Sequence, residues 1–327
     1  MNRVKYISSV FLRMLSLLIG VSIISFILVT NSPIDPLTSY IGAESTLSVE
    51  AKEEIAEHWG LNDPPLERFA SWGKNVLKGD FGTSITYKQQ VSTVILERFK
   101  YSIVLMLVAW CFSGIVGFLI GILAGIYKGS LFDKIIKIFC LALQSAPTFW
   151  IGLLILSLFS VYLGWFPIGF AVPMGKLSLE ITIWDRIYHL ILPALTLSIL
   201  GISRVTLFTR QKLIEILNSD FILFAKARGE NTRQLVIRHG LRNIALPAIT
   251  EQFASFSELF GGIALAETVF SYPGLGTATT AAGLNGDVPL LLGIAIFSAI
   301  FVFVGNFIAN ILYGVLDPRL KEGKYNG

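Results

Sequence analysis

The sequence predicts an all-α, polytopic membrane protein with six transmembrane helices and both termini in the cytoplasm. Of its 327 residues, 54% are hydrophobic and only 15% are charged, and the mean hydropathy is +0.68. A soluble domain of this length has more charge than that. The charges also fall between long apolar runs, with Lys and Arg concentrated in particular loops. Composition, run length and charge placement therefore indicate the same fold class.

The basic character of the chain does not indicate a nucleic-acid partner. The net charge is +4 and the pI is about 9.0, but the basic residues lie between apolar spans, where they serve membrane topology and contact with the lipid bilayer. The two cysteines, Cys111 and Cys140, both lie in apolar stretches. Two are too few for a disulfide framework or a thiolate metal site, so we interpret both as packing residues.

The first transmembrane helix is predicted within residues 1–30. Its apolar stretch follows Arg3, Lys5 and Arg13 as in a signal peptide, but no small-residue cleavage site follows it. Residues 31–100 then form a predicted extracytoplasmic insert, with a helical pattern over 48–59. Four aromatic residues of the insert form either a small core or a membrane-interface group: Trp59, Phe69, Trp72 and Phe81.

Residues 101–313 are predicted to form the transmembrane core, and residues 314–327 a cytoplasmic tail. In the second span, residues 101–127, glycines recur every four positions at Gly117, Gly121 and Gly125. Such spacing predicts a face against which another helix packs closely. The later spans are predicted at 138–164 with a kink at Pro147, at 187–208, at 244–270 and at 288–312.

The orientation follows from the distribution of Lys and Arg. Seventeen of the 26 fall on the face that holds both termini, whereas the two short loops of the opposite face hold only two. The long insert is a poor indicator of topology, so the short loops decide the comparison. The face with both termini is therefore predicted to be cytoplasmic.

A charged segment, residues 220–247, lies between the fourth and fifth spans. The pattern predicts a first helix over 220–228 that Gly229 stops, and a second helix that Asn231 caps with Gln234 as its reciprocal partner. The apolar stripe of the first helix comprises Phe221, Phe224, Ala225 and Arg228. A basic loop that only sets topology needs no pair of capped helices. The segment is therefore interpreted as a docking element for another protein.

The same residues resemble a known family. The run Ala225-Lys226-Ala227-Arg228-Gly229, followed by Arg238-His239-Gly240-Leu241-Arg242-Asn243 and Leu246-Pro247, is similar to the cytoplasmic coupling loop of permease subunits of binding-protein-dependent ABC importers, in the dipeptide, oligopeptide and nickel branch. Further landmarks occur in the same order at residues 79–84, 147–150, 192–197, 267–270, 273–276 and 317–319. One position departs, because Leu223 stands where the broader importer pattern has an acidic residue.

The resemblance implies a type I ABC importer permease fold in the bacterial plasma membrane. It also implies two ABC ATPase subunits, a second homologous permease subunit and an extracytoplasmic substrate-binding protein as partners. Contacts with the ATPase would come from Phe224, Ala225, Lys226, Ala227, Arg228 and Gly229. The chain has no G-x-x-x-x-G-K-[ST] sequence, so ATP hydrolysis is expected on the partners, and no cofactor is expected on this chain.

Three acids lie in the predicted fifth span. Glu251 and Glu258 are seven residues apart and so share a helix face, and each either lines the translocation path or makes a packing hydrogen bond. Glu267 matches a family landmark and is predicted to have a structural role at the outer end of the span, where its carboxylate would accept hydrogen bonds from backbone N–H groups of the turn at Tyr272.

The substrate and the general class of function leave alternatives open. Nickel, as the ion or a chelate, short peptides and another small solute are all compatible with the family, and the two acids favour a metal weakly. A stand-alone ion channel with Glu251 and Glu258 as a selectivity ring is the alternative class. An enzyme is disfavoured because the sequence has no recognisable nucleophile or metal motif.

Overall fold

The computed structural model describes residues 3–31 and 63–316, and these ranges are helical apart from short connections. Within them the only β pairing is an isolated bridge between Thr83 and Gln90. The predicted helix over 48–59, Trp59 of the aromatic group and the landmark at 317–319 lie outside the described residues. So does the tail from residue 317 onward.

The α-helices are α1 (Arg3–Thr30), α2 (Pro65–Leu77), α3 (Val91–Ile126), α4 (Leu131–Ser145), α5 (Thr148–Ile155), α6 (Ile183–Leu217), α7 (Asp220–Ala227), α8 (Thr232–Gln234), α9 (Leu241–Ala254), α10 (Phe256–Val269), α11 (Leu275–Leu284) and α12 (Val288–Leu316). Two π-helical segments, Leu156–Tyr162 and Leu235–Gly240, continue α5 and α8, and a short 3-10 helix covers Ser178–Glu180.

Several of these helices have the length and apolarity of membrane spans. Among the described residues, three qualify individually: α3, α6 and the part of α12 up to Ile308. The predicted first span corresponds to α1, whose apolar stretch is Met14–Leu28. The predicted fifth span is divided at Ser255 into α9 and α10, each of 14 residues, and a helix of that length is only about 21 Å long. The all-helical membrane class is confirmed, and the number of six spans stays a prediction.

The predicted kink at Pro147 is a sharp break. Helix α4 ends at Ser145, Pro147 precedes α5 in an extended conformation, and α4 and the helix from Thr148 to Tyr162 meet at 111°. Proline has no backbone N–H to continue a helix, and it disfavours helical geometry at the residue before it, here Ala146. The two helices therefore form either one broken span or a re-entrant pair.

Several helix boundaries differ from the sequence-based expectation; α6, for example, runs to Leu217 rather than ending near residue 208. Helix α3 begins at Val91 rather than near residue 101, so the last ten residues assigned to the insert belong to a 36-residue helix. Helix α4 begins at Leu131, whereas the third span was predicted to begin near residue 138 after a short turn over 128–137. Ser130 caps this helix by accepting a hydrogen bond from the Asp133 N–H. Hydropathy alone placed the starts of α3 and α4 directly after the nearest charged residues, Lys100 and Lys137.

The chain forms two compact units, and the first comprises residues 1–102 and 273–303. In this unit Asp287 is fully buried before α12, and its carboxylate accepts hydrogen bonds from the Ser84 hydroxyl (2.6 Å) and the Thr86 N–H (2.9 Å). The ring of Phe69 on α2 contacts Phe26 of α1, with centroids 5.0 Å apart. Phe69 also contacts Trp72. Neither Phe69 nor Trp72 is fully buried, so the choice between a small core and a membrane-interface group stays open.

The second unit comprises residues 103–272 and 304–327, and the predicted glycine face lies within it. A Cβ added to Gly117 would stand 2.8 Å from Val205 Cβ, and one added to Gly121 would stand 2.7 Å from the Thr206 carbonyl oxygen. At Gly125 the nearest atom, on Leu213, would be 2.9 Å away. The prediction that these glycines form a packed face is confirmed, and α6 is the helix that packs there.

A buried ion pair joins α4 to α6 in the same unit. The Arg210 guanidinium donates to both carboxylate oxygens of Asp133, with Nη2 and Oδ2 2.8 Å apart, and only 4% of the Asp133 side chain is exposed. Asp133 also accepts a hydrogen bond from the Gly129 N–H at 2.8 Å. A two-pronged contact of this kind fixes the relative orientation of the two helices.

The glycine face yields a stability prediction. Replacing Gly121 by Ala places a methyl group against the α6 backbone, so we expect the free energy of unfolding to fall by about 2 kcal/mol. The measurement is the thermal unfolding midpoint of the purified protein in detergent. Gly261→Ala is the matched control, because a Cβ there meets no atom within 4 Å. Alanine is more favourable than glycine in a helix by about 1 kcal/mol, so this variant should not be destabilised. Equal midpoints for the two variants would contradict close packing at Gly121.

Candidate functional site

The charged segment begins with α7, a helix of eight residues that ends as the sequence predicts. Arg228 closes the helix, and Gly229 follows with φ +90°. The Gly229 N–H donates to the Lys226 carbonyl (2.9 Å) and the Glu230 N–H donates to the Ala225 carbonyl (3.3 Å). These bonds satisfy carbonyl groups at the helix end and require a left-handed residue, which glycine adopts without strain. The predicted helix stop is confirmed.

The predicted cap of the second helix is also confirmed. The Asn231 side chain accepts from the Gln234 N–H, and the Gln234 side chain accepts from the Asn231 N–H, both at 2.9 Å. The helix then continues from α8 through its π-helical segment into α9. In that segment His239 Nε2 lies 3.2 Å from a carboxylate oxygen of Glu230, in the link that follows Gly229. This contact ties the link to the second helix.

The burial pattern of α7 differs from the predicted stripe. Ile222 is fully buried and Ala225 is 6% exposed, and both pack with Leu235. Phe221 and Phe224, which were assigned to the apolar stripe, are 50% and 67% exposed. Helix α7 is apolar almost all round, so its sequence does not indicate which side faces inward.

The exposed side of α7 is therefore an apolar surface. Leu223, which precedes Phe224 in the helix, is 56% exposed. We call the side chains of Phe221, Leu223 and Phe224 the apolar patch. Beneath it, Ile216 and Leu217 at the end of α6 pack against the cluster that contains Ile222. An exposed group of large apolar side chains on a rigidly held helix is typical of a protein-binding site.

The acids of the predicted fifth span lie near an arginine that the sequence analysis did not identify. Arg204 of α6 makes an ion pair with Glu258 of α10, and Glu251 of α9 is close enough to interact electrostatically with Arg204. The helix is interrupted at Ser255, between the two acids. Their seven-residue spacing does not define one continuous helical face, yet both carboxylates interact with the same guanidinium.

Glu267 is fully buried at the end of α10. Its backbone carbonyl accepts a hydrogen bond from the Tyr272 N–H at 2.8 Å. The Tyr272 N–H therefore donates to the main chain of Glu267, whereas we expected it to donate to the Glu267 carboxylate. The position of Glu267 close to the turn agrees with the sequence-based expectation, and its structural role stays a prediction.

Two more features of the site region went unpredicted. Cys111, expected to be a packing residue, is exposed, whereas Cys140 is buried as expected. Arg204 and Arg210 were counted only as topology signals, although each pairs with an acid on another helix. For Arg204 the one available signal was its position inside the predicted span 187–208, because a charge within a span needs a partner or water.

The fold and the site define a class: an integral membrane protein of several helical spans that presents a short helix with exposed apolar side chains between two of them. A family model described as "Binding-protein-dependent transport system inner membrane component" matches residues 117–322. The chain belongs to this family. It is accordingly a multi-pass protein of the bacterial plasma membrane.

Curated relatives cover almost the whole chain. The oligopeptide transport system permease protein AppB of Bacillus subtilis (strain 168) is 35% identical over 95% of this chain and 97% of its own. The di/tripeptide transport system permease protein DppB of Pseudomonas aeruginosa (strain UCBPP-PA14) is 32% identical over 95% and 98%. The dipeptide transport system permease protein DppB of Escherichia coli (strain K12) is 30% identical over 94% and 95%.

These relatives do not support nickel, which the two acids weakly favoured as the substrate. Their names refer to peptides. Within residues 3–31 and 63–316, no group of three or more His, Cys, Asp or Glu side chains is placed to hold a metal ion. The nearest basic neighbour of Glu258 is also an arginine, which competes with a cation for the carboxylate.

The helix stop at Gly229 yields a prediction about docking. Gly229→Val forces a β-branched residue into the left-handed region, so we expect α7 to distort and co-purification of the ATPase to fall by about tenfold. Gly175→Val is the matched control, since Gly175 has φ +82° and, like Gly229, no atom within 4 Å of an added Cβ. Undiminished ATPase yield with Gly229→Val would contradict the prediction.

Proposed function

We propose that the chain is a permease subunit of a bacterial ABC importer that moves short peptides into the cell. In this proposal it has the type I fold, with six spans and both termini in the cytoplasm. It pairs with a second homologous permease subunit, binds two ATPase subunits, and receives its substrate from an extracytoplasmic binding protein. Peptides are the proposed substrate because the relatives are named for oligopeptide, di/tripeptide and dipeptide transport.

The observation that best supports this proposal is the apolar patch on α7. Its three large side chains are held outward by the buried cluster of Ile222, Ala225 and Leu235. A membrane protein gains nothing from exposing such a group to water unless a partner covers it. The position of the patch within the segment that resembles the family's coupling loop makes an ATPase subunit the proposed partner.

The connections of the charged segment suggest how ATP hydrolysis moves the spans. Helix α6 ends at Leu217, and α7 begins at Asp220. Later in the segment, Gly240 packs against Leu213 of α6. A Cβ added to Gly240 would lie 3.0 Å from Leu213 Cδ1. A displacement of α7 by the ATPase would therefore be transmitted to α6 and, through the continuous helix after Thr232, to α9. This is the proposed route of alternating access.

The test is ATP-dependent uptake of a radiolabelled dipeptide into liposomes that contain the complete transporter with its binding protein. The wild-type complex is expected to import the dipeptide, and the chain alone is expected neither to import it nor to conduct ions. Phe224→Asp places a charge in the apolar patch, so uptake and ATPase association should both fall by at least about tenfold.

Leu77→Asp is the matched control for this variant. Leu77 is 89% exposed at the end of α2, outside the charged segment, so its uptake should equal that of the wild type. Ion conduction by the purified chain alone would favour the channel alternative instead. Absence of peptide uptake by the complete wild-type complex would overturn the proposed function.

The proposed topology is tested by thiol labelling. Ser71 is exposed on α2, in the insert proposed to lie outside the membrane. In a Cys111→Ala background, which removes the exposed native thiol, Ser71→Cys should react with an impermeant maleimide added to intact cells. Lys134→Cys, exposed on α4 near the proposed cytoplasmic face, should react only after permeabilisation. The opposite pattern would invert the topology.

A further inference from the structure

A polar pocket lies in the second unit, at the break between α4 and α5. Its volume is about 420 Å³, within the range of small-molecule sites. Its polar lining comprises Gln144, Thr148, Arg204, Ser255 and Glu258. These residues come from four helices and from the interruption between α9 and α10. Because α4, α5, α6 and α10 all contribute, movement of α6 would change the shape of the pocket.

The pocket must contain water or a polar ligand. Its two charged side chains remain accessible, with 40% of the Arg204 side chain and 62% of the Glu258 side chain exposed. Arg204 lies in the interior of α6, a helix apolar enough to span the bilayer. Charges exposed at such a position are costly against lipid and are found facing aqueous cavities. The pair therefore faces an aqueous cavity within the second unit.

Negatively and positively charged side chains lie next to each other at this pocket. Glu258 contacts Arg204, and Glu251 adds a second negative charge within electrostatic range. A short peptide has one ammonium and one carboxylate group at its ends. It can exchange the single pair of Arg204 and Glu258 for two pairs, with Arg204 on its carboxylate and the glutamates on its ammonium group.

We propose that this pocket binds the charged ends of a peptide during its passage, with Arg204 and Glu258 as the residues that recognise them. This inference depends on the proposed function, because it assumes that the cargo is a peptide. The exchange replaces existing interactions by similar ones, so binding is weak, as a site that must release its cargo requires. The alternative is that the second permease subunit covers the pair, which then only stabilises the assembly.

The chain offers a matched control for a test of this pocket. Lys212 and Glu215 form an exposed ion pair on the same helix α6, with Nζ and Oε2 3.0 Å apart and side chains 39% and 63% exposed. These exposures nearly equal those of Arg204 and Glu258. The variants R204Q/E258Q and K212Q/E215Q each remove one cation and one anion, so neither changes the net charge of the chain.

The experiment uses the complete transporter in liposomes with radiolabelled dialanine delivered by the binding protein. R204Q/E258Q is expected to lower uptake at subsaturating dialanine by about tenfold, while the yield of assembled complex and its ATPase rate stay within about twofold of the wild type. K212Q/E215Q should import dialanine at the wild-type rate. A photoreactive dipeptide should form adducts at Gln144 or Thr148 in the wild type, and these adducts should be lost in R204Q/E258Q.

The outcomes separate this inference from the proposed function. If the wild type imports dialanine and R204Q/E258Q does so equally well with unchanged adducts, the pocket is not a peptide site and the inference fails alone. If R204Q/E258Q assembles in much lower yield, but the complex that does assemble retains the adducts, the ion pair is structural and the inference again fails. If the wild type imports no peptide, the proposed function itself fails.

Discussion

The close packing of α6 on the glycine face of α3 is the constraint on which the second unit depends. Gly117, Gly121 and Gly125 allow the two backbones to approach within a distance that any side chain would block. The Thr206 hydroxyl then reaches across to the Gly117 carbonyl oxygen at 3.2 Å. Because lipid provides no hydrophobic driving force between helices, such contact must come from shape and a few polar bonds. A larger share of α6 than of α3 is buried.

The two arginines of α6 illustrate how burial determines the role of an ion pair. Arg210 contacts an almost fully buried Asp133 through two hydrogen bonds, and separating them would leave a buried charge without its partner. Arg204 contacts a Glu258 that is largely accessible, and a pair of that kind contributes little to stability because water or a ligand can replace either partner. One pair is therefore suited to holding helices together and the other to exchange. Arg204 and Arg210 lie only six residues apart, or about 9 Å along α6.

The charged segment combines a fixed base with an exposed surface. Its base depends on the burial of Ile222 and Leu235 and on the turn at Gly229. The contact between His239 and Glu230 ties the link after this turn to the second helix. These interactions hold α7 in one orientation, so its apolar patch is presented without an ordering cost at the moment of binding. A partner that contacts this patch acts on a rigid body attached to α6 rather than on a flexible loop.

The sequence by itself determined the features that depend on neighbouring residues or on the membrane. The glycine face, the break at Pro147, the stop at Gly229 and the cap at Asn231 each follow from backbone chemistry or spacing within a few residues. Hydropathy likewise gave the helical membrane class, though not helix ends such as Val91, because a helix can continue past the last apolar residue. Only the tertiary structure decided which side of α7 is buried and which arginine faces Glu258. It also joined Asp287 to Ser84, 203 residues apart. A helix that is apolar all round has no pattern to indicate its inward side, and a charge has many possible partners until packing brings one within reach.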